Sequence, residues 1–517
     1  MASPKGGSKS NDGPTIVCRM MPSRWNPHTV VPTYYVAART RKGFFATLND
    51  AIAFAEPYSR IEVTTGKYFE NVIVNKPIEI GTDGNDDASA EFYSRGATFT
   101  FQATEAFVEG LCIRTGDTNH CAVHIDSGAP KIVHCDIESI EVDGDAKPVI
   151  EDNKIVHGKL HGLTLLGSSG GVYKGNVIES HCGYGIKCQS NGTPLFSHNK
   201  ITLCEQGQVL VQGIAGQAAA GGLFTFNRIV DETARKLQKS DNRALQQLKD
   251  MPVRGIGDPV NLLPHVVARG RILDLDGDDA DKVEDAALLD TRCCVEVGPN
   301  SKPSFSGNYF VGSMAIALSF RAGAHGLVDG NRFVGNRGWG ISVEGSDTKP
   351  IITNNIISEN GRGGIRVSDG AGGEIRKNTI AENRGPQILV MRGCDALVVR
   401  NNDICSVSRV GIVCKEGGNG LFLTNTIHEC YVGIRVESEG NPTIRDNILH
   451  LCHVGVAVVR HGRGVFDENE LANNRGACFV VTKGSHPYCL RNRMLASEHA
   501  VIVQQRGKGL YESNHIK

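Results

Sequence analysis

Four arginines that follow a recurring Asn-containing turn are the side chains whose type and spacing most readily suggest binding chemistry. The turn is written GNRG, ENGRG, ENRG or NNRG, and its arginines are Arg337, Arg362, Arg384 and Arg475. A guanidinium group presents a planar fork of donors that matches a carboxylate or a phosphate group. An arginine also suits an Asn-Gly turn that faces solvent. The pattern therefore predicts either a row that binds acidic groups of a partner or a solvated edge.

A second group of side chains contains residue types that ligate metals. Cys430 and Cys452 each occur five residues after a recurring asparagine, with His428, His453 and Cys204 at or near the same turn. Four such ligands could converge on zinc. However, a repeat also aligns like residues for packing, and reduced cysteine is a small apolar filler. The close CxxC spacing of structural zinc sites is missing, so the sequence predicts no metal site and no cofactor.

Paired carboxylates, which glycoside hydrolysis requires as acid and base, are not evident in the sequence. Glu151 and Asp152 are adjacent, but neighbouring strand residues face opposite sides of a sheet. A recurring GIxV strand carries no carboxylate at its outward positions, which are Lys187, Ser342, Arg366, Leu389, Val413, Arg435 and Ala457. The sequence therefore predicts no catalytic residue, although an unfamiliar catalytic site stays an alternative.

These side chains are carried by a sequence repeat of 22 to 24 residues. Each repeat opens with Asn, has an aliphatic residue or Phe two positions later, and reaches a short apolar strand about nine residues on. Six consecutive repeats open at Asn331, Asn355, Asn378, Asn402, Asn425 and Asn447. A period of this length is typical of a solenoid, in which one repeat buries its apolar face only by stacking on its neighbours.

The content of the repeat favours a β-helix over other solenoids. The repeat contains no long apolar helix, and it lacks the framework of leucine-rich repeats. In the segment GIRVES, Ile434 and Val436 alternate with Arg435, as in a strand that is buried on one side. Short strands joined by turns fill such a repeat. The sequence therefore predicts an all-β protein that is a single right-handed parallel β-helix.

Columns of equivalent residues are predicted to hold the coils together. The opening asparagines would stack at one corner, where Asn tolerates a left-handed bend and its amide hydrogen-bonds along the stack. The predicted inward column beneath them is Ile155, Ile178, Ile201, Ile229, Phe310, Phe333, Ile357, Ile380, Ile404, Ile427, Leu449, Leu471, Met494 and Ile516. Prolines that mark the start of a strand, where no ladder donor is required, are Pro130, Pro148, Pro194, Pro303, Pro350, Pro442 and Pro487.

The chain is predicted to divide into five segments. Residues 1–33 form a polar, flexible and loosely packed lead-in. Residues 34–130 hold a capping helix and the first coils, which would cover the open end of the β-helix. Regular coils follow at 131–229 and 294–517, and one insertion at 230–293 interrupts them.

Two stretches outside the coils are predicted to be helical. Thr47, with Asp50 three residues later, marks the start of the capping helix. The insertion begins with DETARKLQKSDNRALQQLKDM, in which Leu237, Leu245 and Leu248 lie roughly on one side of a helix. Its second part, DLDGDDADKVED, differs from a calcium-binding loop because its glycine is the fourth residue rather than the sixth. We expect a solvated acidic loop there.

Composition excludes several classes of protein. The chain has 517 residues and a formal net charge of −1, so no global feature suggests binding to nucleic acid or to a membrane. No apolar run is long enough for a membrane span, and the N-terminal MASPKGGSKSNDGP lacks the apolar core of a secretory signal. Sixteen cysteines without such a signal are typical of reduced intracellular thiols, so a cytoplasmic location is predicted.

The entrance to the coils resembles that of pectin-lyase-like β-helix proteins. The succession FATLNDAIAFAEPYSRIEVTTGKYFENVIVNKPIEIGTDG has their order of helix, strand, Gly-x-Tyr-x-Glu element, strand, Lys-Pro and strand, with Gly66, Tyr68 and Glu70 in that element. The later coils resemble the parallel β-helix repeats of the family named for carbohydrate-binding proteins and sugar hydrolases. The resemblance covers residues 40–517 with one interruption. It implies a fold, and one fold hosts many functions.

The resemblance leaves two functions open. Neither the motif set of polygalacturonases nor the segment typical of pectin methylesterases occurs, and GAHG at 323–326 is an isolated fragment. Non-enzymatic intracellular relatives include F-box substrate adaptors and the SHC SH2-domain-binding protein group, which this chain resembles in character. We therefore expect a non-catalytic scaffold or adaptor that binds protein partners, in a cytoskeletal or cell-division assembly. A carbohydrate-active or carbohydrate-binding protein is the alternative, and the sequence does not indicate the oligomeric state.

One edge of the predicted solenoid gathers the features that could bind a partner. The insertion leaves the solenoid from the turn that elsewhere holds the arginine row, so it is expected to fold near that row or to reach a partner beside it. Its acidic stretch from Asp274 to Asp285 could dock on Arg337, Arg362 and Arg384. Exposed ion pairs are individually weak, so such docking would need the whole row and would weaken with salt.

Overall fold

A computed structural model describes residues 16–82, 89–230 and 293–517, and these residues form a single right-handed parallel β-helix. Each regular turn contributes one short strand to each of three sheets, called here sheets A, B and C. Within the described ranges, every strand pairing except that of the first two strands is parallel. The predicted all-β solenoid is therefore confirmed.

The strands follow one another in the order A, B, C along each turn. Sheet A contains Arg19–Pro22, Val30–Val36, Arg60–Val63, Glu79–Thr82, Phe107–Glu109, Lys131–Val133, Val149–Glu151, Val172–Lys174, Leu195–Ser197, Leu223–Thr225, Ser304–Ser306, Leu327–Asp329, Ile351–Thr353, Gly373–Arg376, Leu397–Arg400, Leu421–Leu423, Thr443–Arg445, Val465–Asp467, Tyr488–Leu490 and Leu510–Glu512. Sheet B contains Gly66–Tyr68, Ala90–Ser94, Leu111–Thr115, Asp136–Ile137, Lys154–Val156, Val177–Glu179, Lys200–Thr202, Arg228–Val230, Tyr309–Val311, Arg332–Val334, Ile356–Ser358, Thr379–Ala381, Asp403–Cys405, Thr426–His428, Ile448–His450, Glu470–Ala472, Arg493–Leu495 and His515–Ile516. Sheet C contains Val72–Val74, Phe99–Phe101, Val123–Ile125, Ile140–Val142, Leu163–Leu165, Tyr184–Cys188, Gly207–Val211, Cys293–Val297, Ile316–Arg321, Trp339–Glu344, Gly363–Ser368, Ile388–Met391, Val410–Lys415, Val432–Val436, Val454–Val458, Ala477–Val481 and His499–Val503.

An asparagine ladder stacks at the corner between sheets A and B, as predicted. The backbone N–H and the side-chain Nδ2 of Asn378 both donate to Oδ1 of Asn402 at 3.0 Å, and the Nδ2 also donates to the carbonyl of Ile352. Comparable contacts continue along the corner from Asn153 to Asn514. Each amide thus satisfies buried backbone groups of the preceding turn, which an apolar side chain would leave unpaired.

The core fills the interior of the solenoid with the predicted inward column. Ile380, for example, has no exposed surface, whereas Ile516 in the last strand of sheet B is 61% exposed because no later strand pairs with it. Beside this column, the rings of Tyr173, Phe196 and Phe224 stack at centroid distances of 5.0 and 4.5 Å. Each of the seven predicted prolines directly precedes a strand of sheet A. The burial of the inward column confirms the predicted inward face of sheet B.

The capping helix runs from Leu48 to Phe54. The side chain of Thr47 accepts the backbone N–H of Asp50, which confirms the predicted helix start. The Glu70 carboxylate accepts the N–H groups of Leu48 and Asn49 at 2.8 and 3.1 Å. The Gly-x-Tyr-x-Glu element therefore satisfies the free donors at the helix N-terminus.

The lead-in is more ordered than expected where the structure describes it. Arg19–Pro22 pairs antiparallel with Val30–Val36, which then continues into sheet A. The guanidinium group of Arg24 forms ion pairs with Glu62 at 3.2 Å and with Glu109. The sequence predicted no strands in this segment, although most of residues 16–30 are exposed or only partly buried. The repeat pattern gave no sign of them because the hairpin lies outside the repeats.

The insertion predicted at 230–293 leaves the solenoid continuous, and its predicted end residues, Val230 and Cys293, belong to strands. Arg228–Val230 of sheet B precedes it and Cys293–Val297 of sheet C follows it. The insertion therefore lies within one turn, between its sheet B strand and its sheet C strand. Across it, the N–H of Asn227 donates to Oδ1 of Asn308 at 2.9 Å. The predicted helix and acidic loop of the insertion lie outside the described residues.

Most of the cysteines belong to the core. All sixteen cysteines are free. Twelve of the sixteen, such as Cys414 and Cys452, are buried among apolar side chains, where they act as small fillers. No helix among the described residues is long and apolar enough to cross a bilayer.

Candidate functional site

Four polar side chains on the outer face of sheet C form the part of the described structure best suited to chemistry. His124, Glu141, Thr164 and Lys187 pair in direct register on four successive strands. Each lies between two buried core residues of its own strand, so its side chain points outward. We call these four residues the polar column. Successive strands lie about 4.8 Å apart, so the column spans about 15 Å.

His124 is held between two carboxylates. Its Nε2 lies 2.7 Å from Oδ1 of Asp126, and its Nδ1 lies 3.3 Å from Oε1 of Glu141 on the next turn. Hydrogen bonds with Cys121 and Glu141 raise the pKa of His124 to about 11, and Asp126 adds to the shift, although partial burial opposes it. The imidazole is therefore a cation throughout the neutral pH range.

The two carboxylates beside His124 are both kept ionised. The hydrogen bond with His124 lowers the pKa of Glu141 against the effect of burial. A hydrogen bond from Gln102 at 3.2 Å lowers the pKa of Asp126, and His124 adds to that effect. Glycoside hydrolysis needs one protonated and one ionised carboxyl group, so this pair does not fit it. An ionised Glu141 fits the role of a proton acceptor.

A shallow depression of about 390 Å³ adjoins the polar column at Lys187, and His161 and Tyr184 help to line it. The Nδ1 of His161 accepts the backbone N–H of Tyr184 at 3.0 Å. Burial, with the charge of Lys187 added, lowers the pKa of His161 to about 4. The neutral ring therefore carries its proton on Nε2 and can donate it in a hydrogen bond. Burial also raises the pKa of Tyr184, which stays a phenol.

A larger depression, of about 680 Å³, lies at the N-terminal end of the solenoid. Arg39, Arg41 and Lys67 line it, and its lining includes neither a carboxylate nor an imidazole. It offers positive charge without a proton acceptor. For this reason the polar column, and not the larger depression, is the candidate site for acid–base chemistry.

The seven outward positions predicted from the GIxV strand all lie in the same column of sheet C as His124 and Glu141. From Leu389 onward this face is mainly apolar, and Leu389, Val413 and Ala457 are buried. These seven positions carry no carboxylate, but the same face holds Glu141 on one of its earlier turns. His124 and Glu141 lie on turns before Asn153, the first asparagine of the corner ladder, so the repeat pattern in the sequence does not include them. The alternation of apolar and charged residues in IEV at 140–142 indicates that Glu141 faces outward.

The predicted arginine row is only partly aligned. The N–H groups of Arg337 and Arg384 bond to the carbonyls of Ser313 and Asn360, whereas Gly361 takes the equivalent place in the turn between them. Arg362 is therefore offset by one residue, because ENGRG contains an additional glycine. In the described part of the chain, no carboxylate pairs with Arg337, Arg384 or Arg475. Whether the row binds a partner stays a prediction, and its docking with 274–285 lies outside the described residues.

A second asparagine ladder lies directly beneath these arginines. Asn336 donates to Asn360, and Asn360 donates to Asn383, each through Nδ2 at 2.8 Å. The amide of Asn383 in turn donates to Oε1 of Gln387 within its own turn. This second ladder spans three neighbouring turns, and it fixes the backbone that carries the arginines.

Of the five residues considered for zinc, Cys430 and Cys452 contact each other, but the five do not form one cluster among the described residues. Cys430 and Cys452 are buried in the core, whereas His453 stacks on Tyr431 at the surface. Two other sets have ligand atoms within 4.8 Å of one another, namely Cys121 with His124 and Glu141, and Cys405 with His428 and Glu429. In the first set both ring nitrogens of His124 already contact carboxylates. That set is therefore better described as a hydrogen-bonded ion cluster.

We expect His124 and His161 to titrate on opposite sides of pH 6.5. Histidine ring resonances of labelled protein, assigned with His124→Gln and His161→Gln, should show His124 protonated beyond pH 9 and His161 neutral down to about pH 4. Because the pKa of His161 is lowered on folding, its contribution to stability is present above pH 6.5 and is lost as the pH falls towards 4. Equal mid-range titration of both rings would contradict the described geometry.

The model of the family described as "Right handed beta helix region" matches residues 93–238, 293–404 and 387–517. No curated protein is a significant match to the sequence. Nothing in these comparisons supports the expected closeness to the SHC SH2-domain-binding protein group.

Several solved structures are similar to the chain in fold. The periplasmic alginate epimerase AlgG is 12% identical, with 95% of this chain and 86% of that chain covered at a TM-score of 0.25. The mannuronan C-5 epimerase AlgE4 A-module of Azotobacter vinelandii is 9% identical, with 89% and 93% covered at a TM-score of 0.26. A mutant of the PL6 family alginate lyase AlyGC is 9% identical, with 93% and 100% covered at a TM-score of 0.25.

Proposed function

This chain belongs to the right-handed beta-helix family, and we propose that the outer face of sheet C binds an extended acidic polysaccharide and accepts a proton from it. The proposed chemistry is of the lyase or epimerase class. The observation that carries the proposal is the polar column, in which an ionised Glu141 and a lysine lie two turns apart on an open face.

The charges of the column suit an anionic chain. Lys187 and the His124 imidazolium are cations on the outer face, and Lys159 lies beside the adjoining depression. A carboxylate on the sugar chain would be neutralised by Lys187, which makes the proton on the neighbouring carbon easier to remove. Glu141 lies about 10 Å from Lys187, which leaves room for a reacting group between them. His161 and Tyr184 supply donors for hydroxyl groups.

The shape of the face suits a chain more than a small molecule. The adjoining depression is shallow, and the column follows the long axis of the solenoid over successive strands. Small-molecule sites are usually concave and enclose most of their ligand. An extended polymer can instead contact several turns at once, because each turn presents its outward residue at the same register.

The test is binding to acidic and neutral polysaccharides of matched length. We expect wild-type protein to bind a polyuronate and to bind a neutral glucan much more weakly, with affinity that falls as salt rises. Lys187→Ser should weaken polyuronate binding at least tenfold, because it removes the central cation of the site. Lys200→Ser, on sheet B, is the matched control and should bind like wild type. Equal binding of both polymers, or an unaffected Lys187→Ser, would overturn the proposal.

The arginine row supports a second candidate function, an adaptor that binds an acidic protein partner. The supporting observation is that Arg337 and Arg384 are exposed and have no carboxylate partner in the described ranges. The same experiment separates the two candidates, because changing Arg337, Arg362 and Arg384 to Ser should leave polysaccharide binding intact. The cytoplasmic location and the cytoskeletal assembly predicted from the sequence belong with this second candidate.

A further inference from the structure

A group of metal-binding side chains lies on the outer face of sheet B, far along the chain from the polar column. Cys405 and His428 end neighbouring strands and pair in direct register. Glu429 follows His428 in a left-handed conformation, with φ of 54°. The ligand atoms of these three residues lie within 4.8 Å of one another, and the Sγ of Cys405 is 4.0 Å from Oε2 of Glu429. The fold thus brings a thiol, an imidazole and a carboxylate to one point.

The ring of His428 contacts Asp403 and His450, and it also forms a hydrogen bond with Cys405. Its Nε2 lies 3.1 Å from Oδ1 of Asp403, and its face stacks on His450 with ring centroids 5.3 Å apart. Histidines that ligate metals commonly donate their other ring N–H to a carboxylate, which sets the tautomer and the ring orientation. Asp403 meets that description, and a metal would take the place of the proton between His428 and Cys405. His124 lacks this feature, since carboxylates occupy both its nitrogens.

The donor set selects the kind of metal. Thiolate sulfur and imidazole nitrogen are ligands that zinc prefers, and a carboxylate oxygen completes three-ligand sites of the open type. Thiolate and carboxylate together carry two negative charges, which balance a divalent cation. Donors around a tetrahedral zinc are about 3.5 Å apart, so the side chains need only small rotations. Cys405 is 5% exposed, whereas Glu429 is exposed and can adjust.

We propose that Cys405, His428 and Glu429 bind one divalent zinc ion, with Asp403 as a positioning residue and the fourth position open to water or to an incoming donor. This inference is independent of the proposed polysaccharide site, because the two lie on different sheets. Binding expels the thiol proton, so affinity should rise with pH.

The test uses the full chain, freed of metal by a chelator and titrated with Co²⁺ as a spectroscopic substitute for Zn²⁺. We expect one Co²⁺ per chain, with tetrahedral d–d bands and a thiolate charge-transfer band that Zn²⁺ abolishes. Cys405→Ser should remove the charge-transfer band. Cys182→Ser is the matched control, because Cys182 is an exposed cysteine outside the cluster, and it should keep the band.

Further variants separate ligation from a general structural effect. His428→Gln and Glu429→Gln should weaken Zn²⁺ binding at least tenfold, and Asp403→Asn should weaken it by about tenfold through the ring of His428. Added Zn²⁺ should raise the melting temperature of wild type and leave that of Cys405→Ser unchanged. A charge-transfer band that survives Cys405→Ser, one that is lost in Cys121→Ser, or the absence of saturable binding would each overturn the proposal.

Discussion

Ile380→Asp should lower the free energy of unfolding by several kcal/mol, the largest stability effect we expect from a single substitution. Ile380 has no exposed surface and lies in the inward column of sheet B between Ile357 and Ile404. A carboxylate there would be an unpaired buried charge, or would bind a proton and still lose its hydrogen bonds to water. Chemical denaturation followed by circular dichroism measures the change.

The neighbouring residue on the same strand provides the control. Thr379 is exposed on the opposite face, so Thr379→Asp introduces the same side chain into solvent and should change the free energy of unfolding by less than about 1 kcal/mol. Because each turn contacts mainly its neighbours, the damage from Ile380→Asp should begin near the middle of the solenoid. Similar denaturation midpoints for the two variants would show that the inward face is wrongly assigned.

Much of the fold could be predicted because the backbone of a solenoid repeats its requirements. Each regular turn needs an amide at the corner position equivalent to Asn378 and an apolar side chain at the inward position equivalent to Ile380. The same residue types therefore recur at a fixed period. The sequence period is lost in turns where the corner position holds a residue other than Asn. At Cys135 the corner residue is not Asn, although its N–H still donates to Oδ1 of Asn153. The turns before Asn153 therefore could be predicted only approximately, and so could the hairpin that begins at Arg19.

The candidate site could not be predicted for a related reason. Recognition chemistry depends on side chains that differ from turn to turn, so no period marks it. His124 and Glu141 are 17 residues apart in the sequence, yet they pair in direct register. Because this turn is shorter than the repeat, the 22–24-residue pattern includes neither of them, nor the neighbouring Asp126. Likewise, the sequence associated His428 with Cys430, whereas in the structure His428 pairs in register with Cys405 on the previous turn.

The largest functional effect should come from Glu141→Gln. If Glu141 accepts the proton, this substitution should reduce turnover of an acidic polysaccharide by about 10²–10⁴-fold, the range expected for loss of a general base. Glutamine keeps the shape of the side chain, so binding should change much less than turnover. Glu179→Gln on sheet B is the control, because Glu179 also lies near a lysine, Lys200 at 3.8 Å, but on another face. Binding of the polymer by wild type without any turnover would leave a carbohydrate-binding protein.

A pH profile then distinguishes a base from a merely structural carboxylate. His124 lowers the pKa of Glu141, so His124→Gln should let that pKa rise. Glu141 would then bind a proton at higher pH, and the acid limb of the turnover profile should move towards neutrality. A structural role would instead lower turnover equally at every pH. The shift of the acid limb therefore tests both the hydrogen bond between His124 and Glu141 and the assignment of Glu141 as the proton acceptor.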